Sequence, residues 1–223
     1  MLRSAGIIVT VFLLAGCAGP KHISFPTQDR GVVHADVYGD GDRAVVLAHG
    51  GRLNKESWAA QAQALAEAGF RVIAIDFRGR GQSRSGPGAT DRDEGVHFDV
   101  LAAVRYLQQT GAQTISVVGA SFGGWAAAQA AVTIPGQIDR LVLLAAPVDE
   151  PERLTGRKLF ILTRDDFRGE GVLRLPEIRA QYERAPEPKE LVILEGSAHA
   201  QFIFETAQGK RLLHEILRFL SES

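Results

Sequence analysis

The chain has 223 residues, 45% of them hydrophobic and 23% charged, with a formal net charge of −1. That length suits one domain with a substantial buried core, and the composition is that of a globular rather than a disordered chain. No long basic run is present, which argues against a nucleic-acid partner.

In chain order, the first segment stands apart. Arg3 precedes residues 5–16, which are apolar except for Thr10. This run is shorter than the roughly 20 apolar residues of a spanning helix and suits a secretory signal. It ends in Leu14-Ala15-Gly16-Cys17, which resembles the lipobox of bacterial lipoproteins. The resemblance implies a signal peptide over residues 1–16, lipidation of Cys17, and a mature chain tethered to a membrane by acyl chains. Each buried CH₂ of such an anchor adds roughly 0.8 kcal/mol. Cys17 is the only cysteine, so no internal disulfide is expected. Ala18 is not an acidic retention residue, and the same resemblance then points to the outer membrane of a bacterial envelope, facing the periplasm.

Residues 21–29 are polar, contain Pro26, and read with Cys17 as a tether over 17–30; the domain is expected over 31–223. Residues 32–38 and 44–48 read as strands, and the Gly/Asp-rich turn between them suggests a hairpin. Residues 56–68 form an Ala-rich helical stretch stopped by Gly69. Strand 71–75 follows, then a helical pattern over 91–109 closed by Gly111. Strand 114–118, an Ala-rich helix over 123–133, strands 141–145, 159–162 and 191–194, and a closing helix over 202–220 complete the series. Short apolar strands separated by helices predict a mostly parallel α/β sheet with helices on both faces. Reactive groups in such sheets lie at the carboxyl ends of the strands.

Gly119-Ala120-Ser121-Phe122-Gly123 joins a strand to a helix, the context of a G-x-S-x-G nucleophile elbow. Glycines flank the serine because side chains there would collide at so tight a bend. His49-Gly50-Gly51-Arg52 follows strand 44–48. Such a loop supplies a backbone N–H to an oxyanion, here Gly51 with Arg52 as the alternative. The second donor is the residue after the nucleophile, Phe122.

An elbow serine needs an acid and then a histidine, in that chain order. His199 follows strand 191–194, whereas His22, His34, His49 and His97 precede Ser121 and His214 lies in the closing helix. His199 is therefore the expected base, and His49 reads as a buried structural residue. The acid lies in Thr163-Arg164-Asp165-Asp166. Asp166 is preferred because the loop must reach past the strand end before turning back; Asp165 remains the alternative.

With these motifs in order, residues 32–220 resemble the α/β-hydrolase superfamily. Asp76-Phe77-Arg78-Gly79-Arg80-Gly81-Gln82-Ser83 and Trp58 match that pattern as well, the former as a structural loop beside the site. The resemblance implies a three-layer α/β-hydrolase fold and a Ser-His-Asp serine hydrolase acting on small-molecule acyl esters. Only residues 146–158 separate two strands between which many relatives insert a cap, so a small, capless, carboxylesterase-like site is expected. Peptidase, lipase or thioesterase activity on the same residues, and a non-catalytic binding lipoprotein of this fold, are the alternatives. No cofactor or metal is implied: H-E-x-x-H, paired cysteines and a P-loop are all missing. Arg52, Arg78, Arg80 and Arg84 read chiefly as a solvated basic loop, with attraction of anionic substrates as the rival reading.

Overall fold

The computed structural model describes residues 19–89 and 94–222. The expected signal segment, Cys17 and the start of the 91–109 helical pattern lie outside them. Among the described residues, no helix is long and apolar enough to cross a membrane.

The strands are β1 Lys21–Pro26, β2 Val32–Tyr38, β3 Arg43–Ala48, β4 Phe70–Ile75, β5 Thr114–Ala120, β6 Arg140–Leu144, β7 Arg157–Thr163, a short β8 Phe167–Arg168 and β9 Val172–Leu173, and β10 Lys189–Leu194. Between them lie α1 Ala59–Glu67, α2 Val96–Gln109, α3 Phe122–Thr133 and α4 Leu175–Arg184, and α5 Gly209–Ser221 closes the chain. Among the described residues, eight strands form one sheet in the order β1-β2-β4-β3-β5-β6-β7-β10, parallel from β4 to β10. β1 and β2 are added antiparallel at one edge. The chain steps one way from β3 to β4 and the other way from β4 to β5 and β5 to β6. Right-handed crossovers therefore put α1 on one face and α2 and α3 on the other. The mostly parallel sheet covered on both faces is the expected architecture. Between β6 and β7 there is only a 3₁₀ turn at Pro151–Arg153 and no cap.

Three expectations are corrected. Residues 21–26 are not a tether but an edge strand, fully paired with β2. Alternation in Lys-His-Ile-Ser-Phe-Pro turns Phe25 inward, where it stacks on Tyr106 at 5.4 Å; an edge position also tolerates Pro26. The hairpin between β2 and β3 does not form, because β4 lies between them. Residues 44–48 are buried throughout, as a central parallel strand must be. The turn glycines Gly39 and Gly41 press against the Gly69 and Phe70 carbonyls, carrying the chain beneath β4. The closing helix splits into a 3₁₀ turn, Ala200–Glu205, and α5. The β8–β9 hairpin and α4 had no sequence expectation: α4 buries only Ile178 and Gln181, so it lacks a broad apolar stripe.

Candidate active site

Ser121 sits where β5 turns into α3, with φ 50° and ψ −114°, a backbone conformation rare for a residue with a side chain. The turn is held from both sides. The Ser121 amide donates to the Leu144 carbonyl at 2.9 Å, and its carbonyl accepts from the Gly124 and Trp125 amides at 3.0 Å. The surrounding glycines are required by close approach. A Cβ on Gly119 would lie 2.5 Å from Gly124 Cα, and one on Gly123 would strike the Ala48 carbonyl at the end of β3. A Cβ on Gly124 would strike that of Ala146. These glycines thus let α3 press on the strand ends, a wider role than clearing space around the serine alone.

The loop after β10 brings His199 to this bend. His199 Nε2 is 2.8 Å from Ser121 Oγ, and His199 Nδ1 is 2.7 Å from Asp166 Oδ2. An imidazole with its proton on Nδ1 donates to the carboxylate and accepts from the hydroxyl. Asp166 is fully buried in the loop after β7, whereas Asp165 is exposed and its amide is turned to the Gly196 carbonyl at 2.9 Å. Of the two neighbouring carboxylates, only Asp166 meets the histidine. Thr163 Oγ1 donates to the Ala198 carbonyl at 2.9 Å and ties the two loops together.

On the opposite side of Ser121, the loop after β3 comes close to the start of α3. A Cβ on Gly51 would lie 3.4 Å from Phe122 Cβ. Among the described residues, the Phe122, Gly51 and Arg52 amides donate no hydrogen bond. Phe122 opens α3, where the partial positive charge of the helix terminus gathers. His49 is 1% exposed; its Nδ1 is 2.8 Å from the Gly50 carbonyl and its Nε2 accepts from the Phe77 amide at 3.3 Å. Burial lowers its pKa to about 4, only partly opposed by the bond to Gly50. His49 is thus a neutral strut between two loops.

Several contacts had no sequence signal. Gln201, 6% exposed, accepts from the Gly50 amide through Oε1 at 2.8 Å and donates through Nε2 to Ser57 Oγ at 2.9 Å. Arg174, just before α4, has its amide on the Asp166 carbonyl at 2.9 Å and its Nε 3.4 Å from Asp166 Oδ1. The reading of Arg52, Arg78, Arg80 and Arg84 as a solvated basic loop holds for the exposed Arg52 and Arg84 and is corrected at the other two. Arg78 is buried, bonded to Asp99 at 2.8 Å and to Asp29 at 2.6 Å. Arg80 donates to the Gly51 carbonyl. Of the four, only Arg52 lines the cleft, and Arg174 joins it there.

That cleft has a volume of about 360 Å³ and holds Ser121, His199, Gly51 and Phe122 in its walls. Phe202 lines it too and is 46% exposed. The other large apolar side chains left exposed among the described residues are Phe167, Val172 and Leu173, all in the hairpin leading to Arg174. No group of acidic, histidine or cysteine side chains able to hold a metal ion occurs among the described residues.

Comparison with known proteins bears on this arrangement. The model of the alpha/beta hydrolase fold family matches residues 43–174. A 2-hydroxy-6-oxononadienedioate/2-hydroxy-6-oxononatrienedioate hydrolase of Burkholderia vietnamiensis is 34% identical over 124 residues, covering 54% of this chain and 42% of that protein. Other curated relatives are matched over a similar 40–42% of their length. An esterase of Pyrococcus furiosus superposes with a TM-score of 0.76 at 18% identity, covering 97% of this chain and 98% of that one. A thermophilic esterase of Thermogutta terrifontis gives 0.73 at 19% identity, covering 90% and 98%. At such identities the likeness to solved structures is one of fold. The family match spans more than half the chain and runs through both β3 and the Ser121 bend, so this protein belongs to the alpha/beta hydrolase fold family.

Proposed function

We propose that the protein is a serine hydrolase that cleaves carboxylic ester-like acyl bonds, with Ser121 as nucleophile, His199 as general base and Asp166 as the acid that orients it. The observation that carries this reading is the unbroken relay from Ser121 Oγ to His199 Nε2 at 2.8 Å and from His199 Nδ1 to Asp166 Oδ2 at 2.7 Å, at the wall of an open cleft.

In this mechanism Ser121 Oγ attacks the ester carbonyl as its proton passes to His199 Nε2. Charge develops on the carbonyl oxygen, and the Phe122 and Gly51 amides stabilise it, each by roughly 3–4 kcal/mol. His199 hands its proton to the departing alkoxide, and the alcohol leaves. Water then attacks the acyl-enzyme, losing a proton to His199, which returns it to Ser121 as the acid product departs. Asp166 stays ionised throughout and keeps the imidazole in the productive tautomer. The cleft, open between β6 and β7 where a cap would lie, offers little surface to enclose a long acyl chain, which favours short or exposed acyl esters.

Lipidation at Cys17 completes the proposal and rests on the lipobox-like Leu14-Ala15-Gly16-Cys17. Lys21 enters β1 at the end of the sheet opposite Ser121, as the β1–β2–β4 registers require. Four residues of chain reach at most about 14 Å. An anchor at Cys17 would therefore hold the cleft turned away from the membrane surface.

Two measurements test the proposal. A fluorophosphonate probe should label the folded wild type and not Ser121→Ala, and 4-nitrophenyl acetate should be turned over by the wild type alone. Folded wild type that neither labels nor turns over ester would favour a binding role instead. Radiolabelled palmitate should be incorporated by the full chain and not by Cys17→Ala; equal incorporation by both refutes the anchor.

A further inference from the structure

The cleft beside Ser121 is charged as well as apolar. Arg52 and Arg174 line it, and among the described residues no aspartate or glutamate does. Arg52 follows β3, which lies beside β5, and Arg174 follows the β8–β9 hairpin that leaves β7, on the other side of β5 beyond β6, so the two cations approach the serine from different sides of the strand that carries it. Their electrostatic surroundings differ from those of the neighbouring arginines. Arg164 is paired with Glu195 at 3.0 Å and Arg168 with Glu177 at 2.9 Å. Arg80 donates to the Gly51 carbonyl, and Arg78 is enclosed with Asp99 and Asp29. Arg52 is exposed and pairs with no carboxylate among the described residues. Arg174 faces Asp166, but the other oxygen of that carboxylate is committed to His199. One buried carboxylate thus stands against two cleft arginines. The excess is positive at the point where substrate must enter.

We propose that Arg52 and Arg174 select esters that carry an anionic group, so that the substrate of this site is an anionic acyl ester rather than a neutral one. The inference rests on the serine-ester reading above. The chemistry fits the side chain: a guanidinium is always charged and presents its donors in a planar fork matched to a carboxylate. The part-apolar wall supplied by Phe202 and Leu53 receives the uncharged remainder of such a molecule. Arg174 is tied by its backbone amide to Asp166 and held beside that carboxylate, so it reaches the cleft from an anchored base; Arg52 comes from an exposed loop.

The test compares matched esters. On the acyl side, mono-4-nitrophenyl glutarate is set against 4-nitrophenyl pentanoate; on the alcohol side, 4-acetoxybenzoate is set against phenyl acetate. The wild type should show the higher kcat/KM on the anionic member of at least one pair, by about tenfold, and the preference should shrink as salt screens the cleft. Arg174→Met and Arg52→Gln should each lower the anionic-to-neutral ratio by about tenfold. The ratio cancels any general loss from disturbing Asp166, and Arg52→Gln carries the test alone should Arg174→Met fail to fold. A neutral preference in both pairs, or an anionic preference that survives both substitutions, overturns the proposal. Wild type that hydrolyses none of the four esters overturns the serine-ester reading instead.

Discussion

Gln201 Oε1 accepts a hydrogen bond from the Gly50 amide at 2.8 Å, joining positions 151 residues apart in the chain. The bond links the loop that carries His199 to the loop that carries Gly51, so the proposed base and the proposed oxyanion donor share one strut. Its amide nitrogen continues to Ser57, fixing the carboxamide in one orientation. Gln201→Leu should lower kcat on 4-nitrophenyl acetate by roughly tenfold with a smaller change in KM, since the cost of a misaimed Gly51 amide is felt only when charge develops on the carbonyl oxygen. It should also cost about 1–3 kcal/mol of stability, because the buried Gly50 amide loses its acceptor. Unchanged kcat alongside a lowered melting temperature would reduce Gln201 to a structural role.

Asp166 and Asp165 can be separated by substitution. Asp166→Asn should lower kcat by about 10³–10⁴, the size of effect expected when the imidazole is left in the wrong tautomer. Asp165→Asn, at an exposed side chain, should stay within about twofold of wild type. Steady-state rates on one ester are sufficient, and a large loss in the Asp165 variant would contradict the geometry.

His49 makes stability depend on pH. In the unfolded chain its imidazole takes up a proton near the ordinary 6.5, whereas in the fold burial holds it neutral until about 4. The unfolded state therefore binds more protons between those values, so stability present above pH 6.5 is lost as pH falls toward 4. The loss attributable to this residue is at most about 3 kcal/mol. Urea unfolding at several pH values should show a shallower slope for His49→Gln than for wild type; parallel slopes would rule the residue out.

The Arg78–Asp99 pair is fully enclosed, with both side chains 0% exposed. Arg78→Met leaves Asp99 a buried carboxylate with no cation and should destabilise the fold by about 3–5 kcal/mol. Arg78→Met combined with Asp99→Leu should recover much of that loss, because neither charge then needs a partner. Denaturant midpoints of the two variants provide the check.

Legibility in the sequence followed the range of the physical cause. The elbow was readable because its demands are local: a strand, a bend and a helix within a dozen residues, with glycines where backbone presses on backbone. The central strands were readable because continuous apolar runs such as 44–48 can be satisfied only by burial on both faces. β1 was hidden because an edge strand needs only one inward face, and Phe25 is the sole buried residue in it. The β2–β3 hairpin was a false expectation because turn composition reports a reversal of direction but not which strand inserts beside it. Gln201 left no mark because its partners Gly50 and Ser57 are distant in sequence, and Arg174 left none because only the β8–β9 hairpin returns it to Asp166.

The amino-acid sequence by itself determined the class of the fold, the bend at Ser121, and the short list from which base and acid could come, because hydrophobic periodicity and local sterics act over a few residues. The tertiary structure alone decided that Asp166 rather than Asp165 meets His199, that Arg78 is buried while Arg174 faces the cleft, and that one glutamine joins two loops. Those outcomes depend on where the ends of nonconsecutive strands meet, and strand order is set by packing across the whole sheet.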